Sequence, residues 1–374
     1  MTAYRLARAG ARTALIERGG WVRRDETDWD ARSILLEKRY KSDSPIQVSL
    51  YGESRAPEFP NETVGGMSVF YGGASLRLRE KDFERWPISY EDLAPFYDEA
   101  ETLLGVHGSA GADPFEPPRS KPYPFDPIPP TGPATRILEA ALALGHRPFP
   151  IPLAINFSED SRPLCILCTT CDGYPCRIEA KNDLTTTVLK RAQDAGLEIL
   201  ANSIVTRFQW SGSTVQKLTC VDKSSGGDVS ITADTFVLSA GALHSPAILL
   251  RSGITPPFVG RCLMRHYNVI VTCVFPFQTN PERTFHKQTC LTDFYEDLRS
   301  ETGTAVGVIQ DIYTPDPVVM KAHAPVWGKW VIGLAHRYMQ NLLCVAEDDP
   351  REENTVTLTE ETDRYGLEIA KVTH

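Results

Sequence analysis

The chain has 374 residues, of which 42% are hydrophobic and 23% are charged, a composition typical of a folded globular protein. Its formal charge is −9, and the absence of a long basic run argues against a nucleic-acid partner. The sequence has no apolar stretch of about 18 or more residues, so it predicts no membrane span.

The N-terminal residues predict a helix followed by a short buried strand. Residues 2–9 have small and apolar side chains at helical spacing, Gly10 is suited to end the helix, and residues 13–16 form the strand. Glu17 stands at the strand's end. In a dinucleotide-binding βαβ unit, an acidic residue about 20 positions after the glycine fingerprint binds ribose hydroxyls. Twenty positions before Glu17 lie upstream of Met1, so we expect the phosphate-binding loop to lie outside this sequence. The alternative interpretation is that this helix and strand belong to an ordinary βαβ unit that binds no dinucleotide.

A glycine-rich segment at residues 64–73 follows a polar, mixed region that predicts loops and short elements. It has four glycines in ten residues. Because glycine lacks a Cβ, the backbone there can approach a bulky ligand where side chains would collide. The segment, called the glycine segment below, therefore predicts a cofactor cradle.

The next predicted element is an amphipathic helix that begins at a capping box. Ser89 and Asp92 form that box, and apolar residues then recur at helical spacing until Gly105. Residues 109–133 contain many of the chain's prolines and predict an excursion over the surface.

Four of the nine cysteines lie within residues 165–176, called the cysteine loop below. They are Cys165, Cys168, Cys171 and Cys176. Such clustering favours a local thiol feature over a disulfide framework. The spacing invites comparison with iron–sulfur ligand runs, although the last spacing and the position of the proline differ. Zinc is a second alternative, although the usual widely separated pairs are absent.

The second half of the chain predicts a helix, several strands and a strand-to-helix turn. The predicted helix spans 186–195, and the predicted strands are 198–201, 204–210, 215–222, 229–233 and 235–238. The last of these is a buried strand that runs into small residues at 239–242. A helix with Ser245 as N-cap and Gly253 as C-cap follows. Alternating residues beyond Asn268 predict an antiparallel sheet.

Three of these segments, residues 1–20, 64–73 and 235–254, together resemble the glucose-methanol-choline oxidoreductase family, and the resemblance extends over nearly the whole chain. Residues 239–254 resemble the family's second signature, the strongest match. Small residues between a strand end and a helix start let the backbone lie against a dinucleotide. Gly65, Gly66 and Ser68 resemble the family's flavin segment, in which some members have a covalently flavin-linked histidine two positions after the serine. Phe70 stands there in this chain, which implies non-covalent FAD.

The resemblance also implies which residues contact FAD. The implied cofactor-binding residues are Glu17, Gly65, Gly66, Ser68, Tyr71, Gly72, Gly73, Val205, Ala240 and Gly241. Residues 259–266 resemble the segment that follows in the family, but Cys262 replaces the usual asparagine, so no catalytic role is carried over to His266.

The fold implied is α/β, with an incomplete Rossmann-like FAD-binding domain and an antiparallel-sheet substrate domain. We expect residues 1–80 and 185–268 to form the discontinuous FAD-binding domain. Residues 81–184 and 269–374 should form the substrate-binding or cap domain.

The activity implied is FAD-dependent oxidation of the CH–OH group of a sugar, polyol or other alcohol to a carbonyl. Hydride would pass to flavin N5, and oxygen, a quinone or a cytochrome would reoxidise the flavin. The catalytic histidine pair, or histidine and asparagine, is expected beyond His374, which is itself no credible substitute.

Two alternatives belong to other classes. One is an inactive remnant truncated at both ends, in which FAD binding is weakened. The other is an iron–sulfur electron-transfer protein that uses the cysteine loop; certain bacterial relatives have such a cluster. The compartment is cytoplasmic by default, or periplasmic if an N-terminal leader is missing.

Overall fold

The computed structural model of the chain describes residues 1–159, 161–303, 306–322 and 324–374. The α-helices are α1 (Thr2–Arg8), α2 (Tyr90–Leu104), α3 (Gly132–Ala143), α4 (Val188–Asp194), α5 (Gly241–Arg251), α6 (Tyr295–Thr302), α7 (Pro317–Ala322) and α8 (Val326–Ala335). The strands are β1 (Ala14–Ile16), β2 (Ile46–Leu50), β3 (Glu53–Glu58), β4 (Phe149–Pro150), β5 (Glu198–Leu200), β6 (Ser203–Ser211), β7 (Thr214–Asp222), β8 (Asp228–Ile231), β9 (Tyr267–Val274), β10 (Thr289–Leu291), β11 (Val306–Ile312), β12 (Met339–Ala346), β13 (Thr355–Thr362) and β14 (Glu368–Thr373).

The α/β part is built on a parallel pair of strands. β1 pairs with β5, with Ala14 opposite Glu198. α1 and α4 pack on each other, and Tyr4 and Val188 are among the residues of their shared buried cluster. The predicted helix and strand at the N-terminus are confirmed, the helix ending and the strand beginning one residue from the predicted position. The strand is not buried as predicted, since Ala14 is exposed and Leu15 and Ile16 are half-buried. β6, β7 and β8 form a separate antiparallel sheet.

The five-stranded sheet is antiparallel throughout, as the sequence predicts for residues beyond Asn268. Its strand order is β4-β10-β11-β12-β9. Apolar side chains from β4, β10 and the adjoining loops form its buried core, including Phe149, Ile151 and Cys290. This sheet carries the wall of the cavity described below.

A mixed sheet joins segments that are far apart in the sequence. Its order is β13-β14-β2-β3, and β14 runs parallel to β2. α5 packs on this sheet through Ala247, which contacts a buried cluster that includes Ile46 and Val356. β2 and β14 belong to different domains in the predicted division, which stays a prediction.

The prediction of a buried strand at residues 235–238 is wrong. These residues form no strand, and Val237 is 55% exposed. Phe236 and Leu238 pack inward on the cluster around Phe208, but among the described residues no neighbouring strand pairs with their backbone. Phe236 and Leu238 pack as alternate side chains of a strand would, but the backbone of this segment lacks the ladder of hydrogen bonds that defines a strand.

The helix after this segment begins earlier than the sequence predicts. α5 starts at Gly241, so Ser245 is inside the helix and is not its N-cap. Gly241 has φ of 80°, a backbone conformation that glycine adopts at little cost, and this lets the chain turn directly into the helix. At the other end, Ser252 is the C-cap and Gly253 follows with φ of 67°.

α2 has the predicted cap but a different buried face. The reciprocal bonds of Ser89 and Asp92 are present. Phe96, on the predicted apolar face, is 46% exposed, whereas the carboxylates Asp98 and Glu101 are buried. The charges are buried because they are paired with arginine, which hydropathy alone does not reveal.

A buried carboxyl in the antiparallel sheet predicts a pH-dependent stability. Asp311 Oδ1 accepts the N–H groups of Gln288 (2.7 Å) and Thr289 (2.9 Å), whereas Oδ2 has no partner among the described residues. Burial raises the pKa of Asp311 to about 8. The unfolded chain loses this proton near its ordinary pKa of about 4, so the free energy of unfolding should fall between about pH 4 and 8, by up to about 1.4 kcal/mol per pH unit.

Asp311→Asn keeps the accepting oxygen and removes this titration. Urea unfolding at several pH values should therefore show a flatter pH dependence for Asp311→Asn than for the parent. The exposed Asp234→Asn should retain the parent's slope. Parallel slopes for Asp311→Asn and the parent would contradict the assignment.

Candidate cofactor site

The glycine segment lies against the N-terminal helix–strand unit. Its first residue, Val64, donates its N–H to the Gly20 carbonyl at 2.9 Å. The Val64 side chain is fully buried in the same cluster as Tyr4, with Leu15 of β1 packed against it. The segment that resembles a flavin cradle is thus held beside the end of β1.

The other family-like segments meet in a second buried cluster, to which β1 also contributes. One residue from each of three segments packs against the buried cluster that includes Phe208 and Ile248; these are Ile16, Val205 and Leu238. Glu17 follows the first, and Ala240 follows the last by two residues. Glu17 accepts the Gly19 N–H at 2.8 Å, and burial raises the pKa of its carboxyl group. The structure therefore gathers segments that are more than 200 residues apart in the sequence.

Open backbone is present at two of the predicted contact points. Ala240 and Gly241 are exposed, and a Cβ built at Gly241 would meet nothing within 4 Å. Gly66 has φ of 56° and the same empty space around it. A flat ligand can approach the backbone at these positions because no side chain stands in the way.

Buried polar atoms without partners lie around this open backbone. Thr63 Oγ1, directly before the glycine segment, and His244 Nε2, in the first turns of α5, have no hydrogen-bond partner among the described residues. Burial lowers the pKa of His244 to about 4, so its ring is neutral at neutral pH. Unpartnered buried polar atoms are uncommon in folded proteins. Together with the open glycines, they fit a dinucleotide with many polar groups.

The side chains of the glycine segment are already engaged within the protein. Ser68 Oγ donates to the Gly65 carbonyl (2.7 Å) and accepts the Leu184 N–H (3.2 Å). The Tyr71 hydroxyl donates to the Asn182 carbonyl at 2.9 Å, and burial raises its pKa. Both side chains fix the shape of the segment, which leaves its backbone as the surface that a ligand can meet.

Three glycines of the segment are required by close packing. A Cβ at Gly72 would lie 2.0 Å from the Asp172 carboxylate, one at Gly73 would lie 2.8 Å from Ile155 Cγ1, and one at Gly65 would lie 2.6 Å from a methyl group of Thr185. These positions therefore allow the segment to interlock with the cysteine loop and the strands beside it.

A buried lysine ties the cysteine loop to the glycine segment, and sequence reasoning missed it. Lys181 is 1% exposed, and its Nζ donates to the carbonyls of Tyr71 (2.7 Å), Tyr174 (2.7 Å) and Cys171 (3.0 Å). The fully buried Asp183 binds Arg24 at 2.9 Å two residues later. The only sequence signal was a run of Lys-Asn-Asp between apolar residues, a pattern that more often marks a surface.

The four cysteines do not assemble a metal site in the part of the chain that is described. No group of three histidine, cysteine, aspartate or glutamate side chains there could hold a metal ion. Burial raises the pKa of Cys165 and of Cys171 to about 12, which keeps both as thiols. The structure thus offers no ligand set for the iron–sulfur or zinc hypothesis among these residues.

A cavity of about 560 Å³ lies behind the cysteine loop. Tyr174 and Tyr313 line it, as does the buried His286, whose Nδ1 has no hydrogen-bond partner among the described residues. Burial lowers the pKa of His286 to about 4. Asp172 joins the cavity wall to the glycine segment, because its carbonyl accepts the Tyr313 hydroxyl (2.7 Å) while its carboxylate fills the space beside Gly72.

His266 and His374, to which the resemblance assigns no catalytic role, bond to other side chains of the protein. His374 Nε2 lies 2.6 Å from the Asp348 carboxylate, and both side chains are buried. The exposed His266 contacts Asn268 at 2.9 Å. We assign neither of them as a general base.

The helix–strand unit, the glycine segment and the antiparallel sheet together make up a mixed α/β fold. The chain belongs to the GMC oxidoreductase family, whose N-terminal region matches residues 53–268. The family prediction is therefore confirmed, and it covers the glycine segment, the cysteine loop and α5.

Curated relatives include sugar and alcohol oxidoreductases of bacteria. The chain is 34% identical to paromamine 6'-oxidase of Streptomyces fradiae over 214 residues, 53% of this chain and 38% of that protein. It is 26% identical to 2-methyl-1,2-propanediol dehydrogenase of Mycolicibacterium austroafricanum over 419 aligned positions, 98% of this chain and 73% of that protein. The matched region thus spans well under half of the first of these relatives.

Solved structures share the fold. Pyridoxine 4-oxidase from Mesorbium loti superposes with a TM-score of 0.62 at 21% identity and covers 98% of this chain and 72% of its own. A FAD-dependent oxidoreductase from Chaetomium thermophilum gives the same TM-score at 15% identity, with 99% of this chain and 75% of its own covered. No described helix is long and apolar enough to cross a membrane.

Proposed function

We propose that this chain binds FAD non-covalently and that it belongs to an enzyme that oxidises the CH–OH group of a sugar, polyol or other alcohol to a carbonyl. The observation that supports the proposal is that β1 packs with the glycine segment through Leu15 and with the segments of Val205 and Leu238 through Ile16. Open backbone and unpartnered polar atoms lie in or next to these segments. FAD supplies a hydride acceptor at its N5 atom. The residues of the chain bind and orient it.

The proposed contacts divide between the two ends of the cofactor. Glu17 binds the adenosine ribose, the Val205 backbone faces adenine, and the exposed turn at Ala240 and Gly241 lies along the dinucleotide. The backbone of the glycine segment, including Gly65, Gly66, Ser68, Tyr71, Gly72 and Gly73, lines the flavin. Phe70, which is buried, has no nucleophile for a covalent flavin link.

The proposed substrate class rests on the relatives and on the cavity. Relatives named for gluconate, fructose and paromamine oxidation share this family region. A cavity of about 560 Å³ is the size of many small-ligand sites. Its lining combines aromatic rings, such as those of Trp29 and Tyr174, with polar side chains such as Thr170, Asn280 and Gln340, a mixture suited to a molecule with several hydroxyl groups.

The first experiment is reconstitution with FAD followed by removal of the excess and a visible absorption spectrum. We expect the parent chain to retain the two-band spectrum of oxidised flavin. Ala240→Trp should lose it, because a large ring there fills open space beside the proposed dinucleotide path without disturbing a buried contact. Ala110→Trp, an equally exposed change on the proline-rich excursion, should retain it.

Anaerobic addition of sugars, polyols and simple alcohols to the reconstituted protein then tests the substrate class. Bleaching of the flavin bands by one of them supports the proposal. Reoxidation by oxygen, a quinone or a cytochrome identifies the acceptor. A colourless parent, or equal retention by the parent and Ala240→Trp, would contradict the proposed site.

A further inference from the structure

Helix α8 has an exposed apolar face that the fold leaves uncovered. Val326, Trp327 and Trp330 are 85%, 74% and 71% exposed, and Val331 and Leu334 are exposed beside them. These positions follow the spacing i, i+1, i+4, i+5 and i+8, which places them within about 140° of the helix circumference. A contiguous apolar face of this kind marks a contact surface.

The charged residues of α7, of α8 and of the segment that directly follows α8 have one sign. Residues 317–346 contain no aspartate or glutamate, although the chain as a whole has a net charge of −9. Lys329 is exposed at the edge of the face. Lys321, from the neighbouring α7, lies with its Nζ close to Gly333 of α8, 3.2 Å from the position of a Cβ there. Arg337 follows the helix and is exposed.

We infer that α8 is a docking surface for an anionic lipid membrane, on which the helix lies in the plane of the interface. Tryptophan prefers the boundary between headgroups and acyl chains, and lysine and arginine prefer anionic headgroups. α8 joins an apolar face that contains two tryptophans to cations at its edge. The inference goes beyond the proposed oxidoreductase activity and does not depend on it.

A second copy of this chain fits the exposed face of α8 less well than a membrane does. In a symmetric contact between two copies, the two α8 faces would bring their lysines together, and like charges repel. β9 is another exposed apolar surface, with Val269 and Val274 on it, but it has neither tryptophan nor a basic residue. The combination of apolar face and positive charge is specific to α8 among these two surfaces.

The position of α8 relative to the cavity gives the docking a consequence. Pro317, at the start of α7, and His336 and Arg337, directly after α8, all line the cavity. Both ends of the segment that contains α7 and α8 therefore lie at the cavity wall. A membrane that binds α8 lies close to the cavity, so a quinone electron acceptor dissolved in the bilayer has a short path to it.

The test is sedimentation of the full chain with lipid vesicles. We expect binding to vesicles of phosphatidylcholine mixed with phosphatidylglycerol, and much weaker binding to phosphatidylcholine alone. The double variant Trp327→Ser, Trp330→Ser should lower the partition coefficient at least about tenfold. Lys329→Glu should lower it about fivefold on the anionic vesicles only.

Trp86→Ser, which removes an exposed tryptophan elsewhere, should bind as the parent does. Equal urea midpoints would show that all variants fold alike, as expected for exposed positions. The inference is overturned if the parent does not bind anionic vesicles, or if the double variant Trp327→Ser, Trp330→Ser binds them as strongly as the parent does. It is also overturned if light scattering shows a dimer that the double variant abolishes. None of these readouts uses flavin, so failure here is distinct from failure of the proposed activity.

Discussion

Lys181→Met should lower the free energy of unfolding by at least about 3 kcal/mol. The Lys181 ammonium donates to the three carbonyls of Tyr71, Tyr174 and Cys171, and methionine leaves all of them buried without this donor. An unsatisfied buried acceptor costs about 1–3 kcal/mol, and bonds to charged donors are at the strong end of that range. Urea unfolding followed by tryptophan fluorescence measures the loss.

Lys190→Met is the matched control. Lys190 makes an exposed ion pair with Glu179 at 3.0 Å, so its removal should change the free energy of unfolding by less than about 1 kcal/mol. If Lys181→Met proved as mild as Lys190→Met, the three carbonyls would be satisfied in another way. The interpretation of Lys181 as the tie between the two segments would then be wrong.

Arg77→Met should destabilise the chain by about 3–5 kcal/mol, the usual cost of breaking a buried charge network. Arg77 bonds Asp98 and Glu101 of α2, each at 2.6 Å, and donates to the Tyr90 hydroxyl at 3.1 Å. Methionine fills a similar volume but leaves the two carboxylates with fewer partners. Thermal unfolding of the purified variant should show a correspondingly lower midpoint.

Arg5→Met provides a matched comparison, because Arg5 also pairs with a carboxylate of α2. Its partner is Glu99, but both side chains are substantially exposed, so the expected cost is below about 1 kcal/mol. Equal midpoints for Arg77→Met and Arg5→Met would show that burial does not set the strength of these contacts.

Local patterns predicted much of the fold because local chemistry decides it. The cap of α2 at Ser89 and Asp92 is correct, since a capping box is complete within four residues. The strand at 235–238 is wrong, because a strand exists only where a neighbour pairs with it, and that neighbour is not visible in the local sequence. The start of α5 depends in the same way on the turn at Gly241.

The candidate site was predictable only in part. Resemblance indicated the glycine segment, and the structure packs Val64 of that segment in one buried cluster with Tyr4 and Leu15. It did not reveal that Ser68 and Tyr71 use their side chains internally, because Leu184 and Asn182, which they bond, lie more than 100 residues away. Lys181 was missed because a buried ammonium is recognisable only when its three acceptors are assembled, and one of them, the Tyr71 carbonyl, is 110 residues away.

The parallel pairing of β2 with β14 bears on the order in which the chain acquires its structure during synthesis. Residues 47–49 pair with residues 371–373, so β2 has only β3 as a partner until more than 300 further residues have left the ribosome. Contacts so distant in sequence form slowly, and unpaired strand edges are prone to aggregation meanwhile. The mixed sheet is therefore completed only after β14 has been synthesised, and a chaperone that shields β2 until then should raise the yield of folded protein.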